Sequence, residues 1–126
     1  MTIVLTTGTF NIIHGGHIEL LNYCLCFGKV YVGVNSDAYV IGKYGEKALS
    51  LKNRLKVITS LKQVSKVYVF DEKEPTELIS KIKPDFYVKG PDYLGVEVPE
   101  KEILEKLKIK YLIPNCDKIL STSKII

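Results

Sequence analysis

The sequence predicts an α/β fold, a doubly wound parallel sheet of five strands within a single domain covering residues 1–126. Three observations predict it. Short, mostly apolar β-branched runs alternate with longer segments of helical period along the chain. The apolar runs are continuous, as strands covered on both faces require, and that is the pattern of a parallel sheet. The length of 126 residues suits one hydrophobic core and is too short for two.

The strands are expected at Ile3 to Thr6, Val30 to Val34, Lys66 to Phe70, Phe86 to Lys89 and Lys110 to Ile113. Between the first two, His17 to Phe27 carries Ile18, Leu21 and Leu25 on one stripe, widened by Leu20, Cys24 and Phe27, with Gly28 placed to close the helix. Ser50 can cap a helix from Leu51 to about Leu61. Pro75 opens another through Ile82, stopped by Pro84, and Pro99 opens a last one through Leu107. Gly42 to Leu49 and Gly90 to Val98 read as loops after the second and fourth strands. In such sheets ligands bind beyond the carboxyl ends of the strands, where the strand order reverses, so chemistry is expected in the loops that follow strands.

Composition narrows the classes of function. A net charge of +4 favours small anions, but acids and bases are interleaved, as in Glu72-Lys73-Glu74 and Glu100-Lys101-Glu102, which read as solvated helix surface. Arg54 is the single arginine, so nucleic acid is not an expected partner. Of the three cysteines, Cys24 and Cys26 stand two apart on a helix and point to different faces, which argues against a disulfide between them and for small apolar fillers in a reducing compartment. No apolar run approaches the length of a membrane span, and Ile3-Val4-Leu5 is too short for a signal peptide, so a cytoplasmic protein is expected.

The chemistry concentrates in the first loop. Thr7-Gly8-Thr9 is followed by His14-Gly15-Gly16-His17, and these are the only two histidines in the chain. Glycines admit an anion close to the backbone, and the amides at a helix start carry partial positive charge toward it. Each imidazole can donate to a phosphate oxygen, most strongly as charge builds on the α-phosphate. The alternative is a pair of capping or loop histidines without a ligand; a zinc pair lacks a third ligand nearby.

Gly8-Thr9-Phe10-Asn11-Ile12-Ile13-His14-Gly15-Gly16-His17 resembles the GTFDxxHxGH signature of the cytidylyltransferase-like nucleotidyltransferases, which include glycerol-3-phosphate cytidylyltransferase, the adenylyltransferase domain that makes ADP-heptose, and archaeal FAD synthase. Val34-Asn35-Ser36-Asp37, Arg54, Val88-Lys89-Gly90-Pro91-Asp92-Tyr93 and Ser121-Thr122-Ser123-Lys124-Ile125-Ile126 are similar to family segments in the same order. The resemblance implies a Rossmann-like domain. It implies that His14, His17 and Lys43 are catalytic, with Lys47 the alternative if the loop shifts. Thr7, Gly8, Thr9, Phe10, Gly16, Lys89, Gly90, Asp92, Ser121, Thr122 and Ser123 would bind the nucleotide, and Asn11, Lys43 and Arg54 the acceptor. Lys43 and Lys89 read alone could be surface lysines, and Ser121 to Ser123 only an N-cap.

An acceptor phosphate is already anionic, so its oxygen can attack the α-phosphorus in line without a general base, and the site needs alignment and positive charge, with Mg²⁺ accompanying the triphosphate. No metal ligands are assigned to the protein. The first expectation is transfer of CMP from CTP to an alditol or amino-alcohol phosphate such as glycerol 3-phosphate. The alternative is an adenylyltransferase using ATP with a sugar 1-phosphate, as in ADP-heptose formation, or with FMN; a non-catalytic nucleotide-binding module is a third reading. Asn11 stands where the signature has Asp, which leaves the acceptor or metal arrangement open. No arginine precedes Ser121, the local sequence being Asn115-Cys116-Asp117-Lys118-Ile119-Leu120, and this leans toward the heptose-type relatives. Lys89-Gly90-Pro91-Asp92-Tyr93 resembles their KGGDY segment. A homodimer is implied by the resemblance, although Val64-Ser65-Lys66 replaces a Val-Asp pair near the dimer contact of relatives.

Overall fold

A computed structural model describes residues 1–45, 48–71, 75–90 and 98–114, with the backbone alone described at 38, 39 and 43. Its elements, in chain order, are β1 (Ile3–Gly8), α1 (Gly15–Leu25), β2 (Lys29–Asn35), α2 (Asp37–Tyr44), α3 (Leu51–Ile58), β3 (Val64–Phe70), α4 (Thr76–Ile82), β4 (Phe86–Val88), α5 (Lys101–Lys106) and β5 (Lys110–Leu112). The five strands form one sheet in the order β3-β2-β1-β4-β5, every neighbouring pair parallel. The chain therefore walks outward from β1 in one direction, then restarts on its other side with β4. The reversal lies between β1 and β4, and the crevice beyond their carboxyl ends is where Thr7, Gly8 and Lys89 fall.

Successive strand residues point to opposite faces, and the core divides accordingly. Val4, Val30, Val32, Val34 and Val88 meet Leu21 and Cys24 of α1 and Ile58 of α3. Leu5, Tyr31 and Tyr87 meet Leu78 and Ile79 of α4 and Leu104 of α5. Helices on both faces give the doubly wound arrangement the apolar runs predict. Among the described residues no helix is long and apolar enough to cross a membrane.

Several expectations are corrected. Residues 37–44 form a helix where the sequence predicts none, its last three residues falling in the stretch from Gly42 expected to be loop: Gly42 weakens the helical signal in its interior, while Asp37 in the first turn and Gly45 at φ +59° bound it. Helix α1 starts at Gly15, two residues before His17, and Leu25 lies 47% exposed on its outer side. Gly28 is required for another reason than helix closure: a Cβ there would stand 2.5 Å from the Thr2 carbonyl oxygen, next to the Lys29 amide that donates to that oxygen at 2.9 Å. Helix α3 ends at Ile58, before Leu61, and α5 starts at Lys101, after a turn through Pro99 and Glu100.

Candidate active site

The loop leaving β1 enters α1 through His14, whose extended backbone (φ −142°, ψ −178°) makes it the N-cap. The Gly16 amide donates to His14 Nδ1 at 3.1 Å, and the His14 amide donates to His17 Nδ1 at 3.2 Å. This is a reciprocal cap with two imidazoles in the places usually taken by Ser or Thr and Glu or Gln. The rings lie 4.1 Å apart between centroids, tilted by 44°, and the Phe10 ring stands 5.4 Å from that of His17.

The cap decides the tautomer. A ring nitrogen that accepts from an amide carries no proton, so in each neutral ring the proton sits on Nε2, making Nε2–H the donor. Capping, posed by the sequence as the alternative to phosphate binding, thus occupies only Nδ1 of each ring. The first turn of α1 contains no acidic residue to offset the positive end of its dipole.

Arg54 and Asn11, expected to meet the acceptor, are turned inward. Arg54 is 1% exposed, and its Nε donates to the Leu49 carbonyl at 3.0 Å. Its Nη1 donates to the Thr9 and Asn35 carbonyls at 3.0 and 2.6 Å, and its Nη2 to Asp37 Oδ1 at 3.1 Å. The same Asp37 oxygen accepts from the Leu51 amide at 2.6 Å. Asn11, 2% exposed, accepts from the Leu49 amide through Oδ1 at 2.7 Å. Carbonyls at strand ends and in loops have no ladder partner, and one buried guanidinium satisfies three of them. Arg54 thus braces the site by joining the first loop, the end of β2, the start of α2 and the approach to α3.

Phe10, expected at the nucleotide, also turns its side chain inward. Its side chain is buried in the core, and its φ of +49° turns the loop beneath His17. Thr9 Oγ1 lies 3.2 Å from the Tyr44 hydroxyl, tying the last turn of α2 to the first loop. Lys43 is next to Tyr44 in that turn, but its side chain lies outside the described residues. So do Lys47, Asp92, Lys118, Ser121, Thr122 and Ser123. Among the described residues, a Cβ on Gly15 or on Gly90 would meet nothing within 4 Å.

Lys89 is no surface lysine. It is 8% exposed just beyond β4, its Nζ 3.1 Å from Thr7 Oγ1 and 3.5 Å from the Thr7 carbonyl of the neighbouring strand β1. Two residues the sequence reading missed complete this corner. Tyr87 donates from its hydroxyl to Glu100 Oε2 at 2.7 Å and lies 2.7 Å from Thr7 Oγ1, and Glu100 Oε2 is 3.9 Å from Lys89 Nζ. Burial, with the Glu100 carboxylate adding to it, pushes the Tyr87 phenol well above its ordinary range, so the hydroxyl keeps its proton. Glu100 is 3% exposed, contrary to its reading as solvated surface. Tyr87 hides in an apolar strand and Glu100 in a charged run, and neither pattern signals the contact.

Both described cysteines are free. Burial pushes the Cys24 thiol up to about 12, and Cys26 is exposed. Among the described residues no group of three or more His, Cys, Asp or Glu side chains is placed to hold a metal ion. Asn11 and Asp37 each accept from a backbone amide, of Leu49 and Leu51 respectively.

The comparisons with known proteins agree with this geometry. The pattern of the family described as cytidylyltransferase-like matches residues 5–126. The "Bifunctional protein HldE" of Wolinella succinogenes is 42% identical over 110 residues, covering 85% of this chain and 23% of that protein. The protein of the same name from Streptomyces coelicolor is 40% identical over 108 residues, 83% of this chain and 23% of its own length. The chain thus spans about a quarter of the length of the curated relatives it matches. Among solved structures, a lipopolysaccharide core biosynthesis protein from Thermoplasma volcanium superposes with a TM-score of 0.77 at 24% identity, over 94% of this chain and 99% of that one. Pantothenate synthetase from Thermus thermophilus shares the fold more distantly, with a TM-score of 0.61 at 12% identity over 90% of this chain and 55% of its own. With the capped histidine pair at the β1–α1 turn and a family match over nearly the whole chain, this protein belongs to the cytidylyltransferase-like family of nucleotidyltransferases.

Proposed function

We propose that this chain transfers the adenylyl group of ATP to a sugar 1-phosphate of the heptose type, releasing pyrophosphate. The observation that carries the triphosphate is the imidazole pair: both Nδ1 atoms are engaged by the α1 cap, which assigns a donor Nε2–H to each ring at the positive end of a helix.

The base is argued from the relatives. We read the HldE proteins, at 40 to 42% identity over more than four-fifths of this chain, as the heptose-adenylyl branch of the family. The Lys89-Gly90-Pro91-Asp92-Tyr93 segment and the absence of an arginine before Ser121 favour the same branch. They favour ATP over the CTP and glycerol 3-phosphate expected first.

In this mechanism a phosphate oxygen of the acceptor attacks the α-phosphorus, the new P–O bond forms as the bond to the bridging α–β oxygen breaks, and that electron pair leaves with pyrophosphate. His14 and His17 stabilise the charge that develops on the phosphate oxygens, and Lys89 adds positive charge from the β4 side. Lys43 and the hydroxyls of Ser121 to Ser123 are proposed to act on the same triphosphate. Mg²⁺ belongs to this reading as the triphosphate's counter-ion and part of the substrate. A homodimer is also proposed, to be tested by sedimentation.

The test measures pyrophosphate release with Mg²⁺ and ATP or CTP, each against a sugar 1-phosphate, glycerol 3-phosphate and FMN. Release with ATP and a sugar 1-phosphate is expected. Turnover confined to CTP overturns the base, turnover with FMN overturns the acceptor, and nucleotide binding without release under every combination overturns the reaction.

A further inference from the structure

Glu100 has no place in the mechanism above, yet it is among the most deeply buried charged side chains described. It stands at the N-cap of α5, where its carbonyl accepts from the Leu104 amide at 3.1 Å, and α5 thereby delivers its carboxylate beneath the end of β4. A carboxylate can only accept, so the Tyr87 hydroxyl spends its one proton on Glu100. The 2.7 Å bond between Tyr87 and Thr7 must then take its proton from Thr7. Thr7 Oγ1, having donated, is an acceptor toward the Lys89 ammonium at 3.1 Å. Every link has one direction: Lys89 to Thr7, Thr7 to Tyr87, Tyr87 to Glu100. The chain of donors starts at the positive end, and its last acceptor returns to within 3.9 Å of Lys89 Nζ and closes the ring.

A buried ammonium is held only where an opposite charge and hydrogen bonds replace its water. Here the charge comes from α5 and the hydrogen bonds from β1 and β4, at the reversal of strand order. We propose that Glu100 is a positioning residue for the triphosphate, acting through Tyr87 and Thr7 to hold the Lys89 ammonium at the β1–β4 crevice. The proposal deepens the reading given above and rests on a triphosphate binding there. It also explains why a hydroxyl is needed on Tyr87 within an otherwise apolar strand.

The experiment is a double-mutant cycle on the full chain, read as ATP affinity by calorimetry and, separately, as KM and kcat for pyrophosphate release. Glu100→Gln keeps the shape and removes the charge; it is expected to weaken ATP about tenfold, with the loss in KM, and Glu100→Asp is expected to restore part of it. Lys89→Met is expected to weaken ATP at least as much, and in that background Glu100→Gln should have no further effect on ATP. Ile109→Val, in the same apolar cluster, is the control that lowers stability and leaves ATP affinity alone. Should Glu100→Gln not fold, Tyr87→Phe breaks the same relay and is expected to give the same loss. Equal effects of Glu100→Gln with and without Lys89 would overturn the proposal, as would wild-type ATP affinity in both relay variants. A wild-type chain that binds neither ATP nor CTP would overturn the triphosphate reading first and this one with it.

Discussion

The two sides of the crevice are built in opposite ways. On the α1 side, the histidine pair is held by bonds between residues two and three apart in sequence, so the cap, the tautomers and the helix dipole all follow from one short segment. On the β4 side, Lys89 is held by Thr7, 82 residues away, and by a carboxylate on a different helix. Both sides use a polar group already committed to protein contacts as the means of aiming a donor. The difference teaches that a local device announces itself as a motif, whereas an equally ordered distant one is spelled in residues that look ordinary.

The largest expected effect tests what braces the first loop, and so the α1 side, against the scaffold. Arg54→Leu should lower the unfolding free energy by about 3–5 kcal/mol, the usual cost of removing one member of a buried charged network, as read by urea denaturation. A loss below about 1 kcal/mol would mean the carbonyls of Thr9, Asn35 and Leu49 find other partners. Arg54→Lys should recover little, because an ammonium cannot span the same acceptors.

Next comes a substitution that separates cap from chemistry. His17→Gln retains an acceptor at the third helical position, where Gln is a common capping-box residue, so stability should change by no more than about 0.5 kcal/mol. Pyrophosphate release should nonetheless fall by about a hundredfold, the scale of losing one aligned donor to a developing charge. Activity that falls only in step with stability would reduce His17 to a helix cap.

Adjacent residues of β1 sharpen the contrast further. Thr7 sits in the Lys89 relay, while Thr6, on the opposite face and fully buried, has no hydrogen-bond partner for Oγ1 among the described residues. Thr6→Val should therefore raise the unfolding free energy by about 1 kcal/mol, whereas Thr7→Val should lower both stability and ATP affinity. Thermal melts and calorimetry on the pair decide it.

Alkaline pH supplies the smallest test. The Cys24 thiol, on the α1 side, is raised from 9.0 to about 12, and the Tyr87 phenol, on the β4 side, is raised well above 10.0. Each group keeps its proton more firmly when folded, so its contribution is complete below the unfolded value and is lost as pH rises toward the folded one. Stability should fall by about 1 kcal/mol between pH 9 and 10. Cys24→Val should remove the onset near 9 and leave the later, Tyr87-linked decline. An unchanged onset in that variant would assign it elsewhere.

Much of the architecture was legible in the residues. Continuous runs such as Ile3 to Thr6 and Val30 to Val34 marked buried parallel strands, and Ser50, Pro75 and Pro84 marked helix ends because capping and ring geometry act within a few residues. Helix α2 was not legible, since Gly42 and Gly45 weigh against a helix that the Thr9–Tyr44 contact helps to hold in place. In the site, the sequence singles out the histidine pair, Lys89, Arg54 and Asn11, but composition cannot show which way a polar side chain turns, and Arg54 and Asn11 turn inward. Glu100 is hidden for the complementary reason: a single charge in a run of charges reveals burial only when the fold supplies its partners.

The inward turn of Arg54 reaches beyond stability. It is the chain's single guanidinium, and it is spent on carbonyls and one carboxylate inside the protein. No planar two-toothed grip remains for any incoming oxyanion, which must instead be met by rounded ammonium heads, imidazole edges and main-chain amides. On the function proposed above, recognition would be shared among several groups rather than resting on one strong clasp, so acceptor preference should respond to loop shape more readily than to the exchange of any single basic residue.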